Sequence, residues 1–163
     1  MLILTLQSCI VSNHPNSAFF DNPYYDFKDT KFMSVNVPMF LAKPFIKKAL
    51  KEDGENPELI ALIKKVKDVK VLTIENGNQK MLADFTNYLN TNQMQEWLTV
   101  KKDNEIIKFS AKQSGETITK LLITISSAKE MVYVDVDGNF TPADISNIIN
   151  YSEKSDVRSL VKR

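Results

Sequence analysis

The sequence predicts an α+β fold: a two-layer sandwich in which a mainly antiparallel sheet of about six strands is covered by about four helices. Two observations predict this class. Segments of alternating apolar and polar residues follow one another in the second half of the chain, whereas segments with apolar residues at helical spacing interrupt the first half. A meander with one apolar face needs helices to cover that face, so both kinds of segment are assigned to one domain.

Six segments have the composition of strands and are bounded by turn residues. Pro38 stops the first segment, and Asn76-Gly77 stops the second. The last four are joined by sequences short enough for hairpins, so they are expected to form an antiparallel meander. Asp137-Gly138-Asn139 is then expected to be a turn. The strands are predicted at residues 31–37, 68–75, 96–102, 105–112, 117–126 and 131–136.

Helical spacing of apolar residues predicts four helices. Two follow the first strand and are separated at Asp53-Gly54, and a third runs from about residue 78 to 89. The fourth begins at Thr141-Pro142-Ala143-Asp144, which combines an N-cap residue, a proline at the first helical position and an acid three residues after the cap. The third helix is expected to turn one apolar stripe to the sheet: Met81, Leu82, Phe85, Tyr88 and Leu89.

Alternation along the later strands predicts which side chains face the helices. The inward set is expected to be Ile107, Phe109, Ala111, Val132, Val134 and Val136. The opposite set is expected to face solvent and is the candidate surface for a partner: Lys101, Lys108, Lys112 and Tyr133. A solvated sheet face is the commoner explanation of such residues.

Residues 19–27, FFDNPYYDF, place five aromatic rings around one proline. Exposed apolar clusters are uncommon on monomers, so these rings are expected to pack onto the core beside the first strand. The alternative is a surface that stacks on a carbohydrate or binds a protein.

The N-terminal segment resembles a lipid-attachment sequence. Leu6-Gln7-Ser8-Cys9 resembles the lipobox of bacterial lipoproteins, although no Lys or Arg precedes the apolar run. The resemblance implies that residues 1–8 are a secretory signal removed before Cys9 and that the Cys9 sulfur carries a diacylglycerol. A buried edge strand is the alternative, because the leucines alternate with other residues at positions 2, 4 and 6.

The chain is therefore divided into a signal at 1–8, a lipid tether and aromatic lead-in at 9–30, a single α+β domain at 31–152 and a polar tail at 153–163. Its 163 residues suffice for one packed core, and a formal net charge of +1 gives no field that would attract nucleic acid. Cys9 is the only cysteine and His14 the only histidine, so a disulfide within the chain and a thiolate-rich zinc site are excluded.

No catalytic, metal or cofactor motif stands out. Ser126-Ser127-Ala128-Lys129 matches a Ser-x-x-Lys string but falls in a hairpin, whereas penicillin-recognising enzymes need that serine at a helix start. The acids around Gly138 match a calcium loop only in part. No catalytic residue, metal ligand or cofactor is therefore predicted, and the protein is expected to bind rather than to catalyse. The alternative is an enzyme whose active site the sequence does not reveal.

The order of segments resembles one family. Val37-Pro38-Met39, the segment 68–76, the segment 96–112 and the segment 136–146 together resemble the small lipoproteins of the domain of unknown function 4252, which are common in certain Gram-negative bacteria. The resemblance implies an exported protein anchored in the cell envelope through Cys9 and suggests a role in envelope signalling. It implies no activity. As a binding protein, the chain is expected to have an envelope protein as partner. The lack of acids in residues 10–16 favours the periplasmic side of the outer membrane over surface export.

Overall fold

The computed structural model describes residues 10–21, 24–52, 57–91 and 94–154, which form one seven-stranded antiparallel sheet and four α-helices. The strands are β1 (Ile10–Ser12), β2 (Lys31–Pro38), β3 (Val66–Glu75), β4 (Gln95–Lys102), β5 (Glu105–Ser114), β6 (Thr117–Ser126) and β7 (Met131–Phe140). The helices are α1 (Met39–Glu52), α2 (Pro57–Lys65), α3 (Gln79–Thr91) and α4 (Pro142–Lys154). The predicted α+β class is confirmed, and all six predicted strands are present.

The strands are ordered β1-β2-β3-β7-β6-β5-β4. β4 to β7 form the predicted meander, and β3 inserts between β2 and β7. Asp103 and Asn104 both have positive φ, 49° and 67°, as a two-residue hairpin turn requires. Side chains of Asp and Asn tolerate this conformation better than most, so the β4–β5 register is encoded locally.

Helices lie on both faces of the sheet, so the predicted two-layer arrangement is wrong in this respect. α3 packs on one face, where Leu72 of β3 and Leu122 of β6 belong to its core. α1, α2 and α4 pack on the other face, where Val69 of β3 and Leu121 of β6 belong to a second core. Successive leucines at 121 and 122 point to opposite faces, so β6 contributes to both cores.

Each group of helices covers only one half of its face. The core under α3 lies toward the end of the sheet where β7 begins, at Met131. The core under α1, α2 and α4 lies toward the opposite end, where β7 finishes at Phe140. Among the described residues, one half of each face is therefore left without a helix, and the two uncovered halves lie diagonally across the sheet from each other.

Four of the five rings in the aromatic segment pack onto the core as expected, whereas Tyr24 is 75% exposed. The rings of Phe19 and Phe20 lie 5.1 and 4.8 Å from the ring of Phe85 in α3, measured between centroids. The Tyr25 hydroxyl donates a hydrogen bond of 2.6 Å to Asp84. The short strand β1 also pairs with β2. Packed structure therefore begins before residue 31, where the domain was predicted to start.

The start of α4 matches its sequence-based prediction. The Thr141 amide and hydroxyl both donate to the Asp144 carboxylate, at 2.7 and 2.9 Å, and the Asp144 amide donates back to the Thr141 hydroxyl. Lys65 of α2 pairs with Asp144 at 2.6 Å. Partial burial opposes ionisation, but the hydrogen bonds from Lys65 and Thr141 outweigh it and lower the pKa of Asp144 below its usual range. This acid therefore caps α4 and ties it to α2.

The end of β7 differs from its prediction. Gly138 lies inside the strand, which continues to Phe140, so the turn predicted at residues 137–139 is wrong. β3 accommodates the extension with an irregular register between Val66 and Asp68. An ideal Cβ on Gly138 would lie 2.3 Å from the Phe140 ring and 2.8 Å from the Lys65 carbonyl oxygen. Glycine is needed here because neighbouring groups approach the backbone closely, and not for a turn.

Candidate functional site: an uncovered apolar half of the sheet

Two rows of apolar side chains cross the face opposite α3, at the end where β7 begins. In the first row, Val35, Val71 and Val134 are followed in register by Ile123, which packs against the core under α1, α2 and α4, and by Phe109, which is 6% exposed. The second row runs in register from β2 to β4 and is interrupted only by the threonine at position 73. We call this surface the apolar half-face and define it by Met33, Val35, Val71, Leu98, Val100, Ile107, Ile125, Val132 and Val134.

Burial alternates along the strands that cross this surface. Leu72 and Tyr133, which point to α3, are 0% and 7% exposed. Their strand neighbours Val71, Val132 and Val134 point the other way and are only partly buried. Met33 and Val100 are 47% and 36% exposed. Among the described residues, neither apolar core includes a side chain of the half-face, so no helix packs on it.

The sequence-predicted partner residues lie on the α3 face, and the structure separates them. Lys101 is exposed near the end of β4, and Lys108 lies 3.4 Å from Glu96 in an ion pair. Lys112 is partly buried. Tyr133 is buried beneath α3, with its ring 5.5 Å from that of Phe85, so its predicted outward orientation is wrong. The four residues share a face, but they do not form one exposed surface.

A charged network occupies the half of the α3 face that α3 leaves uncovered. Lys120 bridges Asp135 and Asp137 at 2.7 and 2.9 Å, and the Tyr133 hydroxyl donates to Asp135 at 3.1 Å. Burial and the Asp135 charge raise the pKa of Tyr133 far above its ordinary value. Desolvation disfavours the Lys120 ammonium, but its hydrogen bonds to the two aspartates raise its pKa. The network is thus satisfied internally, and Tyr133 stays protonated at neutral pH.

The α3 face has a shallow depression beside Lys108. Its volume is about 10 Å³, and Leu89, Met94 and Thr124 contribute to its lining. That volume holds about one water molecule and is far below what a cofactor requires. Within the part of the chain that the structure describes, no group of three or more His, Cys, Asp or Glu side chains is placed to hold a metal ion.

The two side chains most reactive by type lie in or near the N-terminal segment. His14 is exposed in the loop after β1. Cys9, the expected lipid-attachment residue, lies outside the described residues, as do residues 1–8 and the alternative edge strand predicted there. Among the described residues, no helix is long and apolar enough to cross a bilayer.

Sequence analysis assigned three of the half-face residues to one face but misjudged what covers them. As expected, Ala111 is buried in the core under α1, α2 and α4, Val136 packs against that core, and Phe109 is 6% exposed. Ile107, Val132 and Val134 were also expected inward, but they lie on the uncovered part. The available signal was the excess of apolar strand residues on both faces of β3 and β6, which exceeds what one helical layer can cover.

One family model matches most of the chain. The model for a domain of unknown function, DUF4252, matches residues 24–148. The chain belongs to the DUF4252 family. Comparison with curated proteins and with solved structures found no match. The DUF4252 match contains the whole apolar half-face and all four lysine and tyrosine residues of the sequence-predicted surface, whereas Cys9 and β1 precede it.

Proposed function

We propose that this DUF4252 protein is a lipid-anchored protein of the cell envelope that acts by binding another macromolecule through the apolar half-face, and not by catalysis. The observation that carries the proposal is the part of two apolar rows that no helix of the described residues covers. The second row crosses five strand spacings of about 4.8 Å, from β2 to β4, and each row occupies about 7 Å along the strands. The first row is uncovered only from β2 to β7 and at Leu98, because Ile123 and Phe109 are packed. The uncovered apolar footprint is therefore roughly 250 Å².

The half-face is better suited to binding than the lysine surface predicted from the sequence. The lysine surface includes a buried tyrosine and a lysine already paired with Glu96. Exposed lysines that contact only water contribute little to association, whereas burial of aliphatic side chains contributes about 25 cal/mol for each Å² removed from water. The partner-binding role is therefore assigned to the opposite face of the sheet.

A photo-reactive benzoylphenylalanine in place of Val134 tests this assignment. In cells that make the full-length lipidated protein, irradiation is expected to give a covalent adduct of higher mass, because Val134 lies at the centre of the half-face. The same group in place of Lys101, exposed on the other face, is expected to give none. Circular dichroism checks that both variants fold. If adducts form with the photo-reactive group at position 101 but not at position 134, the lysine surface, and not the half-face, binds the partner.

Membrane anchoring through Cys9 is the second part of the proposal and has its own test. Cys9→Ala is expected to move the protein from the membrane fraction to the soluble fraction, because it removes the sulfur to which the diacylglycerol would be attached. Asn13→Ala, at an exposed position shortly after Cys9, is the control and is expected to stay in the membrane fraction. Mass spectrometry of the native protein should show an acylated N-terminal cysteine. An unmodified chain that retains residues 1–8 would contradict anchoring.

A further inference from the structure

We infer that the apolar half-face receives one amphipathic α-helix of another protein, aliphatic on the side that meets the sheet and acidic on the flank next to α1. This inference rests on the proposed function, since it names the kind of partner that the half-face binds. It follows from the shape of the surface, from the charges at its border and from the arrangements that two copies of the chain could adopt.

The half-face is the floor of a step one helix deep. On the same face, α1, α2 and α4 cover the other half of the sheet, and we call them the helix layer. A helix packed on a sheet has a diameter of about 10 Å, so the helix layer stands about 10 Å above the half-face. The two apolar rows lie about 7 Å apart along the strands. One further helix, lying beside the helix layer, fills this space.

α3 shows what such a helix needs. On the opposite face it packs, with 13 residues, on β2, β3, β6 and β7 at the same end of the sheet. It does so with buried residues at helical spacing: Met81, Leu82, Phe85 and Leu89. At 1.5 Å per residue its length is about 20 Å, close to the width of the half-face. A helix of three to four turns with one aliphatic stripe therefore suffices on the other face.

A second copy of the chain does not fit the step. A two-fold axis parallel to the strands would bring the two helix layers into collision and leave the half-faces about 20 Å or more apart. A two-fold axis across the strands would place each helix layer on the other copy's half-face. Lys48 and Lys51 of α1 and Lys64 of α2 are exposed on that layer, and burying their ammonium groups against valines is unfavourable. The helix layer would also keep a flat bilayer about 10 Å away from the half-face.

The charges at the border favour an acidic partner. α1 and α2 together carry six lysines and two glutamates, a net charge of +4 (6 − 2). Ala42 and Ile46 of α1 belong to one core with Val37 and Val69. These valines lie two residues from Val35 and Val71 on the same face, so α1 borders the half-face. On the far border, Lys31 pairs in register with Glu75 and Lys102 with Glu105, so opposite charges are neighbours there. Acidic side chains are thus favoured on the flank toward α1, and neutral ones on the other flank.

Mapping of cross-linked residues tests the inference. Benzoylphenylalanine replaces Val71 or Ile125 in the full-length lipidated protein, the cells are irradiated, and the attached partner residues are identified by mass spectrometry. We expect attachment sites spaced three or four residues apart in a partner segment that contains Asp or Glu. Adding Lys48→Glu with Lys51→Glu is expected to lower the adduct yield at least threefold. Lys101→Glu with Lys112→Glu, on the opposite face, is the matched control and should leave the yield unchanged.

The outcomes separate this inference from the proposed function. Adducts with a second copy, with lipid, or with partner residues spaced two apart as in a strand would overturn the helix and leave the binding surface in place. If the attachment sites have helical spacing but Lys48→Glu with Lys51→Glu leaves the adduct yield unchanged, the acidic flank of the partner helix is wrong. Absence of any adduct from Val71, Ile125 and Val134 would overturn both the inference and the proposed binding role.

Discussion

Phe85→Ala is expected to lower the free energy of unfolding by about 3–5 kcal/mol, the usual loss when a large aromatic side chain is removed from a core. Phe85 is fully buried, and its ring lies between those of Phe20, Phe19 and Tyr133, at centroid distances of 4.8, 5.1 and 5.5 Å. Truncation would leave a cavity bounded by rings from two separate segments, residues 19–20 and β7, which are not free to close it. Urea unfolding at pH 7 measures the change.

Lys80→Ala is the matched control on the same helix. Lys80 is exposed and pairs with Asp84 across one turn, at 2.6 Å. Exposed ion pairs of this kind are screened by water and salt, so the melting temperature is expected to stay the same. Equal melting temperatures for the Phe85 and Lys80 variants would contradict the packing of α3 on the sheet.

Gly138→Ala is expected to destabilise the fold by about 3 kcal/mol, at the upper end of what overpacking usually costs. The added methyl group would overlap the Phe140 ring, which is 1% exposed, and would approach the Lys65 carbonyl oxygen to 2.8 Å. The ring has little room to move because it belongs to the core under the helix layer. Either β7 or the end of α2 would have to shift, and thermal unfolding reports the loss.

Gly115→Asn serves as the control for Gly138→Ala. Gly115 has a φ of 62°, but an added Cβ there would meet nothing within 4 Å. Asparagine tolerates the left-handed conformation, so this variant is expected to stay within about 0.5 kcal/mol of the parent protein. A loss at position 138 no larger than that at 115 would contradict the close packing of Phe140 and Lys65 around Gly138.

Local features of the fold were predictable because the residues that encode them are neighbours in the chain. Asp103 and Asn104 adopt the positive φ that a two-residue hairpin requires. Thr141 and Asp144 form the expected cap at the start of α4. Each depends on side chains within a few residues of the backbone that they stabilise, so their chemistry is visible before the chain is folded.

Features that depend on packing between distant segments were not predictable in the same way. The alternation of side chains along β7 placed Tyr133 and Val134 on opposite faces. Both faces of β7 carry apolar residues, so the sequence did not show which face is buried. Which of them is buried depends on where α3 docks, roughly fifty residues earlier in the chain. For the same reason Gly138 was predicted to be a turn residue. Its small size is needed because the Lys65 carbonyl oxygen, distant in the sequence, approaches it closely.

The sequence by itself determined the α+β class, the antiparallel meander, the four helices and the family, because periodicity, turn residues and segment order are properties of the chain alone. Only the tertiary structure decided that the helices divide between two faces and that each group covers half of its face. The physical reason is burial, because an apolar strand residue is removed from water only where a helix packs on it. Each helix has 9 to 14 residues, and each group of helices covers only half the length of the strands beneath it. The apolar half-face is the part of the sheet that no helix of the described chain reaches.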